Sequence, residues 1–305
     1  MNNFTGFSDL CIPVARIAEL KPILQEAIEL GFHNVAIEQH MDVMKGDASS
    51  KKQDAVPAPF CLKELKATFG GQIRLLNRLT ITFDDVSVSL AVNKSKNIRL
   101  YNLIAALPTN ESSFQYACQS MTCDIITYNS DTIRMKMSRK FYYLAVDRNI
   151  AFELKYSPVI VTSQLRKSTI FRAHRYHSYG KSKNVIITSE ARNPFQLRSP
   201  YDLANLGLIF GMSEEQSKEA IRGIPNRILL SAEGRRFGKA GVVIARRGKE
   251  DMAADSDDYS DSELEEDISD DEEDAEDVDM KDGNSTDEDE ESEALHPPKK
   301  IAKHN

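Results

Sequence analysis

Short apolar segments alternate with helical segments along most of this chain, and that alternation constrains its fold more than any other feature. Two helix starts are well marked: Ser199 stands before Pro200 as an N-cap, and Ser213 with Gln216 forms a capping box. Strands are predicted at 7–12, 34–37, 73–83, 103–107, 125–128, 150–154 and 185–188. Helices are predicted at 22–30, 60–69, 112–121, 163–179, 201–210 and 213–221. The pattern indicates an α/β protein whose parallel sheet is covered by helices. A doubly wound sheet and a β/α barrel both satisfy it, and about seven or eight strand–helix units favour the barrel.

The charges divide the chain into two regions of opposite sign. From Glu250 to Asn305 there are 25 Asp and Glu residues against four Lys, a net charge of −21. Residues 1–249 hold the other 35 Lys and Arg and 22 acids, a net charge of +13. A domain this basic favours a polyanionic partner, and nucleic acid is the usual one.

The acidic region is predicted to be a disordered tail, because its few apolar residues cannot offset the conformational entropy that folding costs. We therefore divide the chain into a folded domain at 1–249 and a tail at 250–305. Four tail serines have an acidic residue three positions later, the spacing that acid-directed kinases accept. These phosphorylation candidates are Ser260, Ser262, Ser269 and Ser285. The final segment 297–303 (PPKKIAK) has the composition of a nuclear import signal.

Several classes of protein are disfavoured by what the sequence lacks. The N-terminal segment has no secretory-signal pattern, and the longest apolar run, 103–107, is too short to cross a bilayer. The four cysteines form no C-x-x-C pair, which excludes zinc-ribbon and redox motifs and is consistent with a reducing compartment. We expect an intracellular protein with no membrane partner. Composition favours a binding module over an enzyme.

The segment 234–240 (GRRFGKA) superficially resembles a phosphate-binding loop, but it is one residue short and has Ala240 where a hydroxyl is required. We interpret it as a basic segment that leads into a strand at 242–245 and contacts phosphates while Phe237 stacks on a base. A solvated basic edge strand is the alternative. His174 and His177 share a predicted helix, but their basic neighbours disfavour a metal.

Five segments of the folded domain match a known family in order and spacing. They are 78–81 (RLTI), 99–101 (RLY), 147–158 (DRNIAFELKYSP), 183–189 (KNVIITS) and 199–211 (SPYDLANLGLIFG). They resemble the thirty-kilodalton protein subunit family shared by nuclear ribonuclease P and ribonuclease MRP. The resemblance covers residues 4–247 and leaves the tail outside. It implies a TIM-like barrel of the PHP type, related to the polymerase-and-histidinol-phosphatase metal phosphoesterases.

That ancestry raises a rival function, metal-dependent phosphoester hydrolysis. The first strand has 9–11 (DLC) in place of the expected H-x-H, whereas the second strand keeps His40. Arg78 stands near the position of a bridging carboxylate, and the fifth strand ends at 126–128 (ITY) without a histidine. One remaining ligand cannot hold a multinuclear centre, so we predict no metal, no cofactor and no catalytic residue. A divergent PHP-type phosphoesterase is the alternative function.

The resemblance implies a non-catalytic, RNA-binding subunit of ribonuclease P and MRP, particles whose RNA is catalytic. Such a subunit supports the removal of the 5′ leader from precursor tRNA and the processing of rRNA. The implied partners are ribonuclease P RNA, MRP RNA, precursor tRNA and other protein subunits, including a small α/β subunit. The implied location is the nucleus, including the nucleolus. A protein-only binder of basic partners through the tail is a further alternative. Charge clustering predicts the RNA-contacting set: Arg172, Arg175, Lys181, Lys183, Arg192, Arg198, Arg235, Arg236, Lys239, Arg246 and Arg247.

Overall fold

A computed structural model describes residues 4–43, 54–86, 92 and 94–237. Its strands are β1 (Phe7–Pro13), β2 (Phe32–Asp42), β3 (Arg74–Phe83), β4 (Leu103–Pro108), β5 (Ile125–Ile126), β6 (Ala151–Lys155) and β7 (Val185–Thr188). Its α-helices are α1 (Ile17–Glu29), α2 (Lys63–Phe69), α3 (Glu111–Gln119), α4 (Arg139–Asp147), α5 (Ser157–Val161), α6 (Ser163–Gly180), α7 (Pro200–Ile209), α8 (Glu214–Ile221) and α9 (Gly223–Phe237). Short 3-10 helices lie at Asn97–Leu100 and Pro194–Gln196.

Some sequence-based predictions lie outside the described residues. They are the strand at 242–245, the cations Lys239, Arg246 and Arg247, the tail with Ser260, Ser262, Ser269 and Ser285, and the segment 297–303.

The seven strands form one parallel sheet in which each strand pairs with the next along the chain, in the order β1 to β7. The sheet curls so that its two edges meet. The Glu190 amide, just after β7, donates to the Cys11 carbonyl of β1 at 2.8 Å. The sheet is therefore a nearly closed β/α barrel, which confirms the predicted fold class.

Both marked helix starts are confirmed, but the predicted starts at 22 and at 60 were wrong, the second because α2 begins at Lys63. The Ser199 side chain accepts from the Asp202 amide, and Ser213 and Gln216 cap each other reciprocally. Helix α1 begins at Ile17, so Pro22 lies inside it rather than at its start. A proline removes one backbone donor, and burial of the apolar face of α1 compensates for that loss.

Helix α9 closes the end of the barrel at which the strands begin. Its Ile228 and Leu229 pack in one buried cluster with Leu10, Leu76 and Ile186 from the barrel interior. The first part of the basic segment, 234–237, forms the last turn of α9, and the strand predicted to follow it lies outside the described residues. The segment is helical because it continues a helix whose other side is buried against the barrel.

Aromatic packing fixes α4 and α6 against the outside of the sheet. The Tyr142 ring of α4 stacks on Phe152 of β6, with centroids 4.2 Å apart, and Tyr176 of α6 lies 5.2 Å from the same Phe152 ring. Gly180 ends α6 against Tyr142, where a Cβ atom would lie 1.9 Å from a ring carbon. The outer surfaces of α4 and α6 are thereby held side by side. None of the described helices is long and apolar enough to cross a membrane.

Candidate nucleic-acid interface and barrel centre

A buried arginine occupies the centre of the barrel. Arg78 of β3 is fully buried, and both of its terminal nitrogens bond Glu153 of β6, with Nη2 2.7 Å from Oε2. Nη2 also lies 3.2 Å from Oε1 of Glu38 on β2. Nη1 donates to the Leu10 carbonyl of β1 at 2.9 Å, and Nε donates to Thr80 at 3.2 Å. One side chain thus joins four strands.

The two carboxylates beside Arg78 remain ionised. Thr127 and Thr188 donate hydroxyl hydrogen bonds to Glu153. Burial acts to raise the pKa of both carboxyls, but attraction to Arg78 outweighs it. The pKa of Glu153 is lowered, and the pKa of Glu38 is lowered to about 2. The centre is therefore a network of charges paired with one another.

Asp9 of β1 lies beside this network without a cation of its own. Its Oδ1 accepts from the amides of Ser189 at 3.0 Å and Cys11 at 3.3 Å. Its Oδ2 is buried and has no hydrogen-bond partner within the described part of the chain. Burial raises the pKa of Asp9 to about 6, against the lowering effect of the hydrogen bonds from Ser189. Near neutral pH this carboxylate is an electrostatic cost to the fold.

Among the predicted RNA-contacting residues, Arg172 lies in the core. It is fully buried on α6, and its guanidinium donates to the Tyr176 hydroxyl at 2.9 Å and the Thr132 carbonyl at 3.0 Å. It also lies over the Tyr128 ring, 5.1 Å from the centroid. A phosphate cannot reach it in this fold, so we correct the prediction and remove Arg172 from the set.

Arg235 and Arg236 are held by carboxylates on the protein. Arg235 makes a bidentate pair with the buried Asp124, at 3.1 and 2.8 Å, which fastens the end of α9 to the loop before β5. Arg236 donates to Glu233 at 2.8 Å. Phe237 is 72% exposed. Arg235 therefore has a structural role, and the stacking of Phe237 on a base stays a prediction.

Arg192 and Arg198 follow β7, at the end of the barrel where the strands finish, as expected from their positions in the sequence. The Arg192 side chain is exposed. Arg198 is half-buried, and its Nη1 donates to the carbonyls of Phe195 at 2.8 Å and Leu197 at 2.6 Å. Arg192 is therefore the freer of the two cations.

The remaining predicted cations gather at the end of α6 among aromatic rings. Arg175 lies between Phe171 and Tyr179, 5.5 and 5.4 Å from their centroids, and donates to the Tyr179 hydroxyl at 2.8 Å. Lys181 and Lys183 follow in the exposed turn after the helix. The result is a stripe of alternating aromatic and cationic side chains.

A second stripe, which sequence reasoning missed, lies alongside on α4. Tyr143 is 5.9 Å from the guanidinium of Arg139 and 5.9 Å from the ammonium of Lys183. Since Gly180 contacts Tyr142, the two stripes are neighbours. We define the α4–α6 face by six residues: Arg139, Tyr143, Phe171, Arg175, Tyr179 and Lys183. Lys140 on α4 and Lys167 on α6 are also exposed cations. Two more, Arg134 and Lys136, lie in the segment just before α4.

A sequence signal for this face existed in the scarcity of acids. Residues 132–189 contain 12 Lys and Arg but two acids, Asp147 and Glu153. Glu153 is buried at the barrel centre, so Asp147 is the one exposed acid of that stretch. Counting acids as well as cations would have drawn attention to α4.

Comparison with known proteins identifies the family. The model of the family described as RNase P subunit p30 matches residues 6–237. The chain belongs to the ribonuclease P subunit p30 family.

Individual relatives agree with this assignment, and one solved structure shares the fold. Ribonuclease P protein subunit p30 of Mus musculus is 30% identical over 260 residues, which cover 84% of this chain and 95% of the relative. Probable ribonuclease P protein subunit 3 of Schizosaccharomyces pombe is 25% identical over 210 residues, covering 68% and 83%. A chain in a cryo-EM structure of archaeal ribonuclease P with mature tRNA has 17% identity and a TM-score of 0.59, covering 79% of this chain and 99% of that chain. The last comparison shows the shared fold.

The barrel centre of this p30 chain does not suit the metal ions of PHP-type phosphoesterases. The position expected for a bridging carboxylate is held by the Arg78 guanidinium, whose positive charge repels a dication. His40 instead bonds the Thr82 hydroxyl at 2.7 Å. In the described part of the chain, no three His, Cys, Asp or Glu side chains are arranged to hold a metal. The donor set therefore does not fit such an ion.

Proposed function

We propose that this p30 chain is a non-catalytic, RNA-binding protein subunit of ribonuclease P and of ribonuclease MRP. It supports 5′ leader removal from precursor tRNA and rRNA processing, in the nucleus including the nucleolus. Family membership supports the subunit role, and the cation-filled barrel centre favours it over metal-dependent hydrolysis.

The observation that carries RNA binding is the chemistry of the α4–α6 face. Arg175 stands between two aromatic rings, and Tyr143 stands between two cations. Cations neutralise phosphates, while exposed rings stack on unpaired bases, and proteins that bind single-stranded nucleic acid combine the two. Phe171, 47% exposed, is the ring best placed for stacking.

Protein partners in the particle, including a small α/β subunit, require a different surface. Helix α7 exposes Tyr201, Leu208 and Ile209 on its outer side. Exposed apolar side chains clustered on one helix mark interaction sites in soluble proteins. This outer side of α7 is the surface that supports a protein partner.

Purification of the tagged full chain, followed by sequencing of the co-purifying RNA, tests the function. We expect enrichment of ribonuclease P RNA and MRP RNA. The absence of both would refute the proposal.

A matched binding assay tests the interface. The double variant Phe171→Ala/Arg175→Gln should weaken binding of the full chain to ribonuclease P RNA by about tenfold or more, because stacking on one ring contributes about 1–3 kcal/mol. It should also flatten the salt dependence, since one phosphate contact is lost. Lys63→Gln, at an exposed lysine on α2, is the control and should bind as the unmodified chain does. Equal affinity and equal salt slope for the double variant would exclude this face.

A further inference from the structure

Two adjoining cavities open at the end of the barrel where the strands finish. Their volumes are about 390 and about 320 Å³. Asn129, Lys155, Glu190 and Arg192 line both, so the cavities form neighbouring lobes of one depression. Ligand pockets in proteins fall within about 300–1,000 Å³, which gives the larger lobe room for one small polar molecule or one nucleotide.

The larger lobe combines apolar walls with hydrogen-bonding groups. Its accessible apolar walls are Pro158, Val161 and Leu165, while Asn129 and Gln196 supply amides. Ser157 also lines it, with a buried hydroxyl that has no hydrogen-bond partner among the described residues. Apolar walls beside polar side chains are the chemistry that recognises a nucleobase by its face and its edge.

Two cations, Lys155 and Arg192, line the larger lobe. The Lys155 side chain is 5% exposed, and its Nζ lies 3.1 Å from Oε1 of Glu190. Burial acts to lower the pKa of this ammonium, but the negative groups around it outweigh burial and raise the pKa, so it stays protonated. An ammonium has three donors, and Glu190 accepts from one. With the exposed Arg192, the two cations outnumber the one carboxylate that faces this lobe.

A further carboxylate lies near the opening but lines the smaller lobe alone. That residue is Glu38, which shares the Arg78 guanidinium with Glu153 and so keeps part of its negative charge. An anion in the larger lobe, away from Glu38, meets Lys155 and Arg192 opposed by Glu190.

We propose that the larger lobe binds one unstacked ribonucleotide, with its base against Val161 and Leu165, its base edge toward Asn129 and Gln196, and its phosphate toward Arg192. The nucleotide is either part of an RNA chain or a free mononucleotide. Sequence-specific proteins commonly bind single-stranded RNA by splaying bases into such sites. The RNA form of the proposal rests on the function proposed above.

Titration calorimetry on the full chain tests the site with two probes: the four ribonucleoside 5′-monophosphates, and single-stranded RNA of eight nucleotides. Val161 lines the larger lobe and is 63% exposed, so Val161→Phe should narrow the entrance without disturbing the core. We expect an affinity loss of at least about tenfold, and a similar loss for Arg192→Gln, because a hydrogen bond to a charged group contributes about 1.5–3 kcal/mol. Leu100→Phe is the matched control: it is 54% exposed and lies just before β4, at the opposite end of the barrel.

The outcomes separate the two sources of the nucleotide. Losses with both probes indicate a nucleotide within RNA, whereas a loss confined to monophosphates indicates a free mononucleotide. Absence of monophosphate binding, together with unchanged RNA affinity in both pocket variants, overturns the site. If Phe171→Ala/Arg175→Gln still weakens RNA binding in that case, the subunit function stands without the pocket.

Discussion

Removal of the Arg78 guanidinium should destabilise the barrel strongly. In Arg78→Met, Glu153 loses both bonds to the guanidinium and Glu38 loses its partner at 3.2 Å, while both carboxylates stay buried. Breaking a buried ion pair from one side costs about 3–5 kcal/mol. That is a large share of the roughly 5–15 kcal/mol that stabilises a typical domain. Urea unfolding of the full chain at pH 7 should therefore show a large fall in the midpoint.

The structure predicts the direction in which the stability loss of Arg78→Met changes with pH. In the unmodified chain the folded-state pKa of Glu38, about 2, lies below the unfolded value, so its contribution is present at neutral pH and is lost as pH falls from about 4.5 toward 2. Without Arg78, burial is opposed less, and the folded-state pKa values of Glu38 and Glu153 should rise above 4.5. The variant should then gain stability as pH falls from 7 to 5, and its difference from the unmodified chain should shrink.

A double variant distinguishes the loss of the ion pair from the change in side-chain shape. Arg78→Met/Glu153→Gln removes both members of the main pair, and the Gln carbonyl can still accept from Thr127 and Thr188. The double variant should lose less stability than the sum of the single losses, by about 1–3 kcal/mol. Arg16→Met, at an exposed arginine paired with Glu19, is the control and should leave the midpoint unchanged. A loss below about 1 kcal/mol for Arg78→Met, independent of pH, would show that this network does not stabilise the fold.

Two further buried carboxylates give predictions of opposite sign. Asp9→Asn keeps an acceptor for the Ser189 and Cys11 amides and removes the carboxylate charge. Because the folded-state pKa of Asp9, about 6, lies above its unfolded value, that charge destabilises the fold above pH 6. The variant should therefore be more stable by about 1–2 kcal/mol at pH 8. Thermal melts should show that gain disappearing by pH 5, where Asp9 is itself protonated; a gain that persists at pH 5 would contradict a charge effect. Arg235→Gln leaves Asp124 buried without its cation and should cost about 2–3 kcal/mol in urea unfolding. RNA affinity of Arg235→Gln measured well below its unfolding midpoint should equal that of the unmodified chain, and a specific affinity loss there would return Arg235 to the RNA-contacting set.

The fold was largely predictable because strands and helix caps depend on local sequence. The Ser213 capping box needs residues three apart, and the strands of a parallel barrel are short apolar runs on their own. Helix α9 was missed because it contains Gly223, Pro225 and Gly234, which have low helix propensity and weaken the helical pattern in the sequence. Its helicity comes from packing across the barrel, which no local window contains.

The candidate site was predictable only in part, because burial on α6 does not follow hydrophobicity. The buried face of that helix includes Ser168, Thr169 and Arg172 among its members. From the sequence, Arg172 and Arg175 are equivalent cations three residues apart. The difference arises because Tyr128 and Tyr176 form a pocket around the first. To predict which of the two arginines is buried, one must know which side of α6 faces the sheet.

The division between buried and exposed charges explains how a barrel with many internal charges can have a basic outer surface. Arg78 and Lys155 are matched inside by Glu38, Glu153 and Glu190, so the interior adds no cation excess. Within residues 132–189, ten of the 12 Lys and Arg lie outside the core, against one exposed acid, Asp147. Because long-range attraction of a polyanion depends on exposed charge, that excess acts where the stretch 132–189 displays it, on the outer side of the sheet. The barrel interior holds the helices in place, and the helices carry the exposed cations and rings that we propose contact RNA.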